Sequence, residues 1–226
     1  LGLGGTYSDF GAVQTDNATS LELNAATNIS SNSAMVIGGL DLNAFVLTLG
    51  SAATDLTIQS ALVVDDSGSQ LITNTADLIL PYPLQLTAGS ITSTAGTFSL
   101  SQGGTINNAT LDVSGTTLKL SDNLSAGNGT LTSNNTSVLH LLEDVTLTFN
   151  GEKTFKALEH NGNTLTLGSA TTDLRLLDPL TLNAGTLHTQ GADLNLHGPL
   201  TLENNSLLDS TGGTLSLFVG GTVDNS

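Results

Sequence analysis

The chain has 226 residues and a net charge of −16, with Lys119, Lys153, Lys156 and Arg175 as its only Lys or Arg residues. So few scattered cations cannot match a phosphate backbone, which excludes nucleic acid as a partner and disfavours anionic membranes and acidic polysaccharides. Cysteine is absent, so no disulfide framework or thiolate metal site can form.

Apolar residues make up 38% of the chain, but aromatics only 4%, and tryptophan is missing. The interior must be filled by Leu, Ile and Val in thin layers rather than by large rings. Charged residues are 11%, and Ser and Thr cover the surface in their place. Uncharged polar and β-branched residues together favour strands. No stretch is long and apolar enough to cross a membrane as a helix. The chain starts at Leu1 rather than Met and no signal peptide is recognisable, which reads as a processed product or an internal piece of something longer.

In chain order, TSLEL at 19–23 is followed by LTLGSAATD at 47–55, ADLILPYPLQL at 76–86 and TFSLSQGGTINN at 97–108. Each phrase returns: TSVLHL at 136–141, LTLGSATTD at 165–173, ADLNLHGPLTL at 192–202 and TLSLFVGGTVDN at 214–225. The chain therefore reads as one continuous solenoid over 1–226, made of two related units of about 117 residues, roughly 1–105 and 106–226.

A finer step of about 20 residues lies inside each unit. One apolar column runs Leu78, Phe98 and Leu118, with Val138 next; in the second unit it runs Leu174, Leu194 and Leu215. A second column holds Leu84, Gly104 and Leu124, then Leu180 and Leu200. A third holds Ile91, Leu111 and Leu131, then Leu187 and Leu207. Apolar and polar residues alternate within each segment, the period of a strand with one buried face. Gly, Asn, Asp, Pro and Ser sit between segments, where the chain must turn. The expected fold is an all-β, single-strand, right-handed parallel β-solenoid with three short strands per coil. About eleven coils at ~4.8 Å each give a rod roughly 50 Å long.

The phrases GTLxL and LTLxxAGTL, as in LTLNAGTL at 180–187, resemble the shaft repeats of bacterial filamentous-haemagglutinin-type adhesins and autotransporter passengers. The resemblance implies a secreted or surface-attached shaft used in adhesion. No NPNG-type signature of that family's secretion domain is present, so the implied part is shaft rather than cap.

Catalysis finds little support. Arg175, the only Arg, lies in LRL and is expected to face solvent; Asp65 and Asp66 are adjacent, but no multi-carboxylate constellation surrounds them. The expectation is a protein that is not an enzyme and takes no cofactor. Asp55, Asp77, Asp173 and Asp193 each precede the first Leu of a coil, two by two on consecutive coils. They are the candidates for a calcium ladder, against the plainer reading of solvated Asx-type corners, since Thr97, Thr117 and Thr214 fill the same slot. Asp65–Ser69 reads as a two-residue insertion that bulges from a corner. His140 and His160 are placed to stack, but without matched carboxylates they make a poor metal site.

Residues 217–226 resemble residues 1–10, so the chain is expected to begin and end at nearly the same phase of the repeat. End coils expose strand edges. The expected partners are a second copy, head to tail, or neighbouring repeats of a longer chain, with a host or surface glycan as a further partner. The functional expectation is a structural shaft or filament segment at the bacterial cell surface. The competing class is a carbohydrate-binding or carbohydrate-active β-helix, which a groove lined by aromatic and acidic side chains on successive coils would favour.

Overall fold

The computed structural model describes residues 2–10, 14–16 and 18–224. Among these there is no helix, and the strands pair in parallel to form a β-solenoid of about eleven coils. Each coil presents three faces. On the third face the ladder runs from Met35–Ile37 through Leu56–Ile58, Leu78–Leu80, Thr97–Leu100, Thr117–Leu120 and Val138–Leu141 to Ala157–Glu159. The first face includes Leu84–Leu86, 104–106 and 124–126; the second includes Gln70–Asn74, Ser90–Ser93, 110–112 and 130–132.

The alternation of apolar and polar residues sets which side of each strand is dry. Leu78, Phe98 and Leu118 are paired in register and fully buried. The first-face column Leu84, Gly104, Leu124 and the second-face column Ile91, Leu111, Leu131 pair as expected from the 20-residue step. No single coil could bury these side chains, so stability comes from stacking coil on coil.

Two expected core positions are corrected. Leu118 pairs with Leu139, and Val138 lies opposite Thr117 on the outer side. The corner from Leu131 to Leu139 holds one residue more than the corner from Leu111 to Leu118. A one-residue shift turns every side chain to the other face. The extra residue is absorbed in a turn organised by Asn134, whose Oδ1 accepts from the Thr136 and Ser137 amides at 2.9 and 3.2 Å. In the same way Leu187 pairs with Leu208, and Leu207 is 49% exposed. There the added residue is taken up by Asn204 and Asn205, both left-handed at φ 53° and 58°.

The two sequence units are not stacked in phase. Leu174, Leu194 and Leu215 form a column, but it lies on the second face, whereas Leu78, Phe98 and Leu118 lie on the third. From Leu78 to Leu180 the chain makes five coils on the third face, and Leu194 lies two faces further on. The repeat therefore holds a number of strands not divisible by three, and the second unit is rotated by one face. The four-residue step from Leu80 to Leu84 turns from third to first face in the first unit, as does the step from Leu120 to Leu124 early in the second. Further along the second unit, the counterparts of the ADLILPYPLQL step, Leu176 to Leu180 and Leu196 to Leu200, turn from second to third.

The offset is already present at TSVLHL: Val138–Leu141 lies on the third face, whereas Ser20–Glu22 of TSLEL pairs with Gly39–Asp41 on the first. The next coil, which holds Val145–Phe149, Lys153–Phe155 and Ala157–Glu159, is where ladders are interrupted. The first-face ladder passes through it, with Leu124 paired to Leu147 and Leu147 to Leu167. Separate sheets start at Lys153–Phe155 and at Leu180–Asn183, so the other two ladders break there.

The matching phrases at the two ends also lie on different faces. Residues 2–10 pair with first- and second-face residues of the next coil, while Gly221–Asp224 pairs with Leu200–Glu203 on the third. The expected identity of phase is thus corrected: the ends share wording but not position. Leu215 is likewise 36% exposed, since no coil among the described residues covers it.

Candidate functional site

The acidic corner residues act on the backbone. The Asp77 amide donates to Asp55 Oδ1 at 2.9 Å, and the Thr97 amide donates to Asp77 Oδ1 at 2.6 Å. On the other column the Asp193 amide donates to Asp173 Oδ1, and the Thr214 amide to Asp193 Oδ1, both at 2.8 Å. Each carboxylate thus takes an N–H at the entry to a strand one coil on. Bonds from an amide to an ionised acceptor are stronger than neutral ones, which suits Asp to this slot. Asn123 and Asp144 do the same for Thr146 and Thr164, at 2.5 and 2.7 Å. A role as backbone acceptors accounts for the whole acidic column, and among the described residues no group of three or more His, Asp or Glu could hold a metal ion.

Behind these corners sits a set of buried hydroxyls. Thr54 accepts from the Ser31 amide at 2.8 Å, Thr116 donates to the Ser93 carbonyl at 2.7 Å, and Thr172 donates to the Phe149 carbonyl at 3.0 Å. They satisfy backbone groups where the chain leaves the ladder.

Arg175 faces outward as expected, but its guanidinium is engaged. Nη2 lies 3.0 Å from Glu152, whose second oxygen accepts from Asn195 at 2.7 Å. The Asp65–Ser69 insertion is a closed turn. Asp66 Oδ1 accepts from the Gly68 amide at 3.0 Å, and Ser69 is buried and accepts from the Ala44 amide at 3.1 Å.

The histidines do not stack. The register places His140 opposite Glu159, and the Nδ1–Oε2 distance is 2.7 Å. His160, one residue on, turns inward and is 5% exposed. It takes the third-face core position that Leu80, Leu100, Leu120 and Leu141 fill in earlier coils. Its Nδ1 lies 3.1 Å from the Gly162 amide, and its Nε2 lies 2.9 Å from the Thr181 carbonyl and 3.2 Å from the Asn183 amide. The ring thus bridges the broken third-face ladder. Only its position in Leu158-x-His160, where the pattern calls for an apolar residue, marks this role in the sequence.

On the first face His188 lies 3.2 Å from Asp209. The Thr211 hydroxyl, and then His188, hold the Asp209 carboxyl below the usual carboxylate range.

The last coil is the other notable feature. Leu217, Phe218, Val219 and Val223 are 42–67% exposed. One coil earlier, Leu194 and Leu196, opposite Leu215 and Leu217, are buried, and Leu202, opposite Val223, is partly buried. Phe218 stacks on His197 with ring centroids 4.3 Å apart.

No helix among the described residues is long and apolar enough to cross a membrane. Protein-family models, curated proteins and solved structures offer no match to this chain.

Proposed function

We propose that this chain is a non-catalytic shaft segment of an extracellular bacterial surface structure, either an adhesin stalk or the subunit of an end-to-end fibre. The apolar last coil carries this reading. Leu215 and Leu217 continue columns that are buried in the preceding coils, Val223 follows the partly buried Leu202, and all three gain full burial only when a further coil of the same kind covers them. That coil belongs to a second copy or to an adjoining repeat. The resemblance of the LTLNAGTL phrases to haemagglutinin-type shaft repeats supports the surface location. The net charge of −16 opposes side-by-side clumping of long rods. Engagement of Asp55, Asp77, Asp173 and Asp193 by backbone amides, and of Arg175 by Glu152, supports a structural use of the charged residues.

Electron microscopy of the purified chain across a concentration series tests the proposal. Rods that lengthen with concentration support the fibre, and uniform short rods support the adjoining-repeat form. Compact particles without a rod outline would sink both. Incubation with pectin-like polymers is expected to give no turnover; cleavage that vanished on mutating Asp65 or Asp66 would make the protein an enzyme instead.

A further inference from the structure

Along the first face the ladder has a gap. Leu62–Val63 pairs with Gly39–Asp41, and Leu84–Leu86 pairs with 104–106. Between these two strands, which lie on successive coils, the only paired position among the described residues is the bridge from Val64 to Leu86. The cause is local. Pro81 and Pro83 flank Tyr82 in the corner that leads into Leu84, and neither proline can donate to a ladder. The strands part at that end and leave a groove of about 470 Å³. This is within the range of about 300–1,000 Å³ typical of small-ligand clefts.

The groove has a mixed lining. Tyr82, 48% exposed, and Pro83 form one wall; Leu62 and Val63 line the other; Asp65, Gln85 and Thr87 stand around it, all exposed. A second hollow, of about 460 Å³, shares Pro83 and continues over Thr105 and Ser125. Gln85, Thr105 and Ser125 occupy one outward row in register. The feature is therefore a track along the rod, with an aromatic ring at one end and a row of amide and hydroxyl groups beyond it.

We infer that this track binds a neutral oligosaccharide, laid along the rod with one sugar ring against Tyr82. A sugar offers an apolar C–H face to an aromatic ring and a rim of hydroxyls to polar side chains, and a tyrosine supplies both contacts. Asp65 is an acceptor for sugar hydroxyls, and a charge-assisted bond is the stronger kind. Asp65, Asp66 and the overall charge repel uronic and sialic acids, so the ligand is uncharged. A peptide strand is a poorer fit, because the free edge at Leu62–Val63 is only two residues long. The inference does not depend on the shaft reading: a fibre without sugar affinity and a monomer with it are both possible results.

The test is titration of the purified chain with cello-, xylo-, manno- and malto-oligosaccharides, followed by calorimetry and by amide shifts in NMR. One of these series should bind, more tightly as the oligomer lengthens. Tyr82→Ala should weaken that binding about tenfold, the effect of losing one stacked ring, and Tyr82→Phe should keep most of it. Ser125→Arg should weaken long oligomers and leave disaccharides unaffected. Tyr82 sits in an exposed corner, so circular dichroism should show these variants folded like the parent. Absence of binding to every series, or binding indifferent to Tyr82→Ala, would overturn the inference.

Discussion

A β-carbon at Gly185 would lie 2.3 Å from Nδ1 of His160. The same atom would be 2.6 Å from His160 Cε1 and 2.8 Å from the Asn163 carbonyl oxygen. The histidine fills the core where the third-face ladder breaks, and the next coil crosses directly over it. That crossing needs a residue with no side chain.

Gly185→Ala is therefore expected to destabilise the rod by about 1–3 kcal/mol, the usual cost of overpacking a fixed core. His160→Ala opens a cavity and leaves the Gly162 amide and the Thr181 carbonyl without their partner, and should cost about 2–4 kcal/mol. The double variant should lose less than the sum, because the ring that clashes is gone. Urea unfolding of the four proteins measures this; strict additivity would show that the two residues do not meet.

The register correction gives a sharper test. Leu118→Asp and Leu139→Asp each place an unpaired charge between dry layers and should cost several kcal/mol, enough to abolish soluble expression. Val138→Asp, beside Leu139, puts its carboxylate on the outer side next to Thr117 and should cost under about 1 kcal/mol. If Val138→Asp proved the more damaging of the neighbours, the one-residue shift at Asn134 would be wrong.

The corner carboxylates make a separate prediction. Asp77→Ala deprives the Thr97 amide of its acceptor, and the expected loss is about 1–3 kcal/mol. Asp77→Asn keeps an oxygen in place, as Asn123 does for Thr146, and should recover at least half of that loss. Calcium or a chelator should leave the melting temperature of the parent unchanged. A calcium-dependent rise that disappeared in Asp77→Asn would instead restore the ladder as a cation site.

The coil period was legible because its signals are local: alternation along each strand and turn residues between strands. Columns such as Leu78, Phe98 and Leu118 follow directly. Val138 did not, because TSVLHL offers two adjacent apolar residues and only the geometry at Asn134 decides which one turns inward. The rotation of the second unit was illegible for a different reason. A strand carries no mark of the face it occupies; the face follows from the number of strands and corners before it, and LTLGSAATD and LTLGSATTD read alike on either. The aspartates were visible as a column, but their use as amide acceptors depends on the register between coils. Tyr82 between two prolines was legible as a turn, and the parted strands beside it were not.

The last coil supplies the test of assembly. Its apolar side chains would each gain about 1.5–3 kcal/mol from full burial under another coil, if the new contact resembles an internal one. Phe218 and Val223, 62% and 67% exposed, are the most open positions that such a contact would cover, together with Val219. Because they are exposed in the single chain, Phe218→Lys with Val223→Lys should leave its melting temperature within a few degrees of the parent. The same pair of charges would be buried without partners in an end-to-end joint, at a cost that outweighs the apolar gain. Heterologous contacts of this kind do not close, so the parent should form open fibres. Fibre length in micrographs and sedimentation at matched concentrations should both collapse to single rods in the double variant, while Tyr82→Ala, far from either end, should assemble like the parent. Fibres of unchanged length in the lysine variant would show that the joint lies elsewhere.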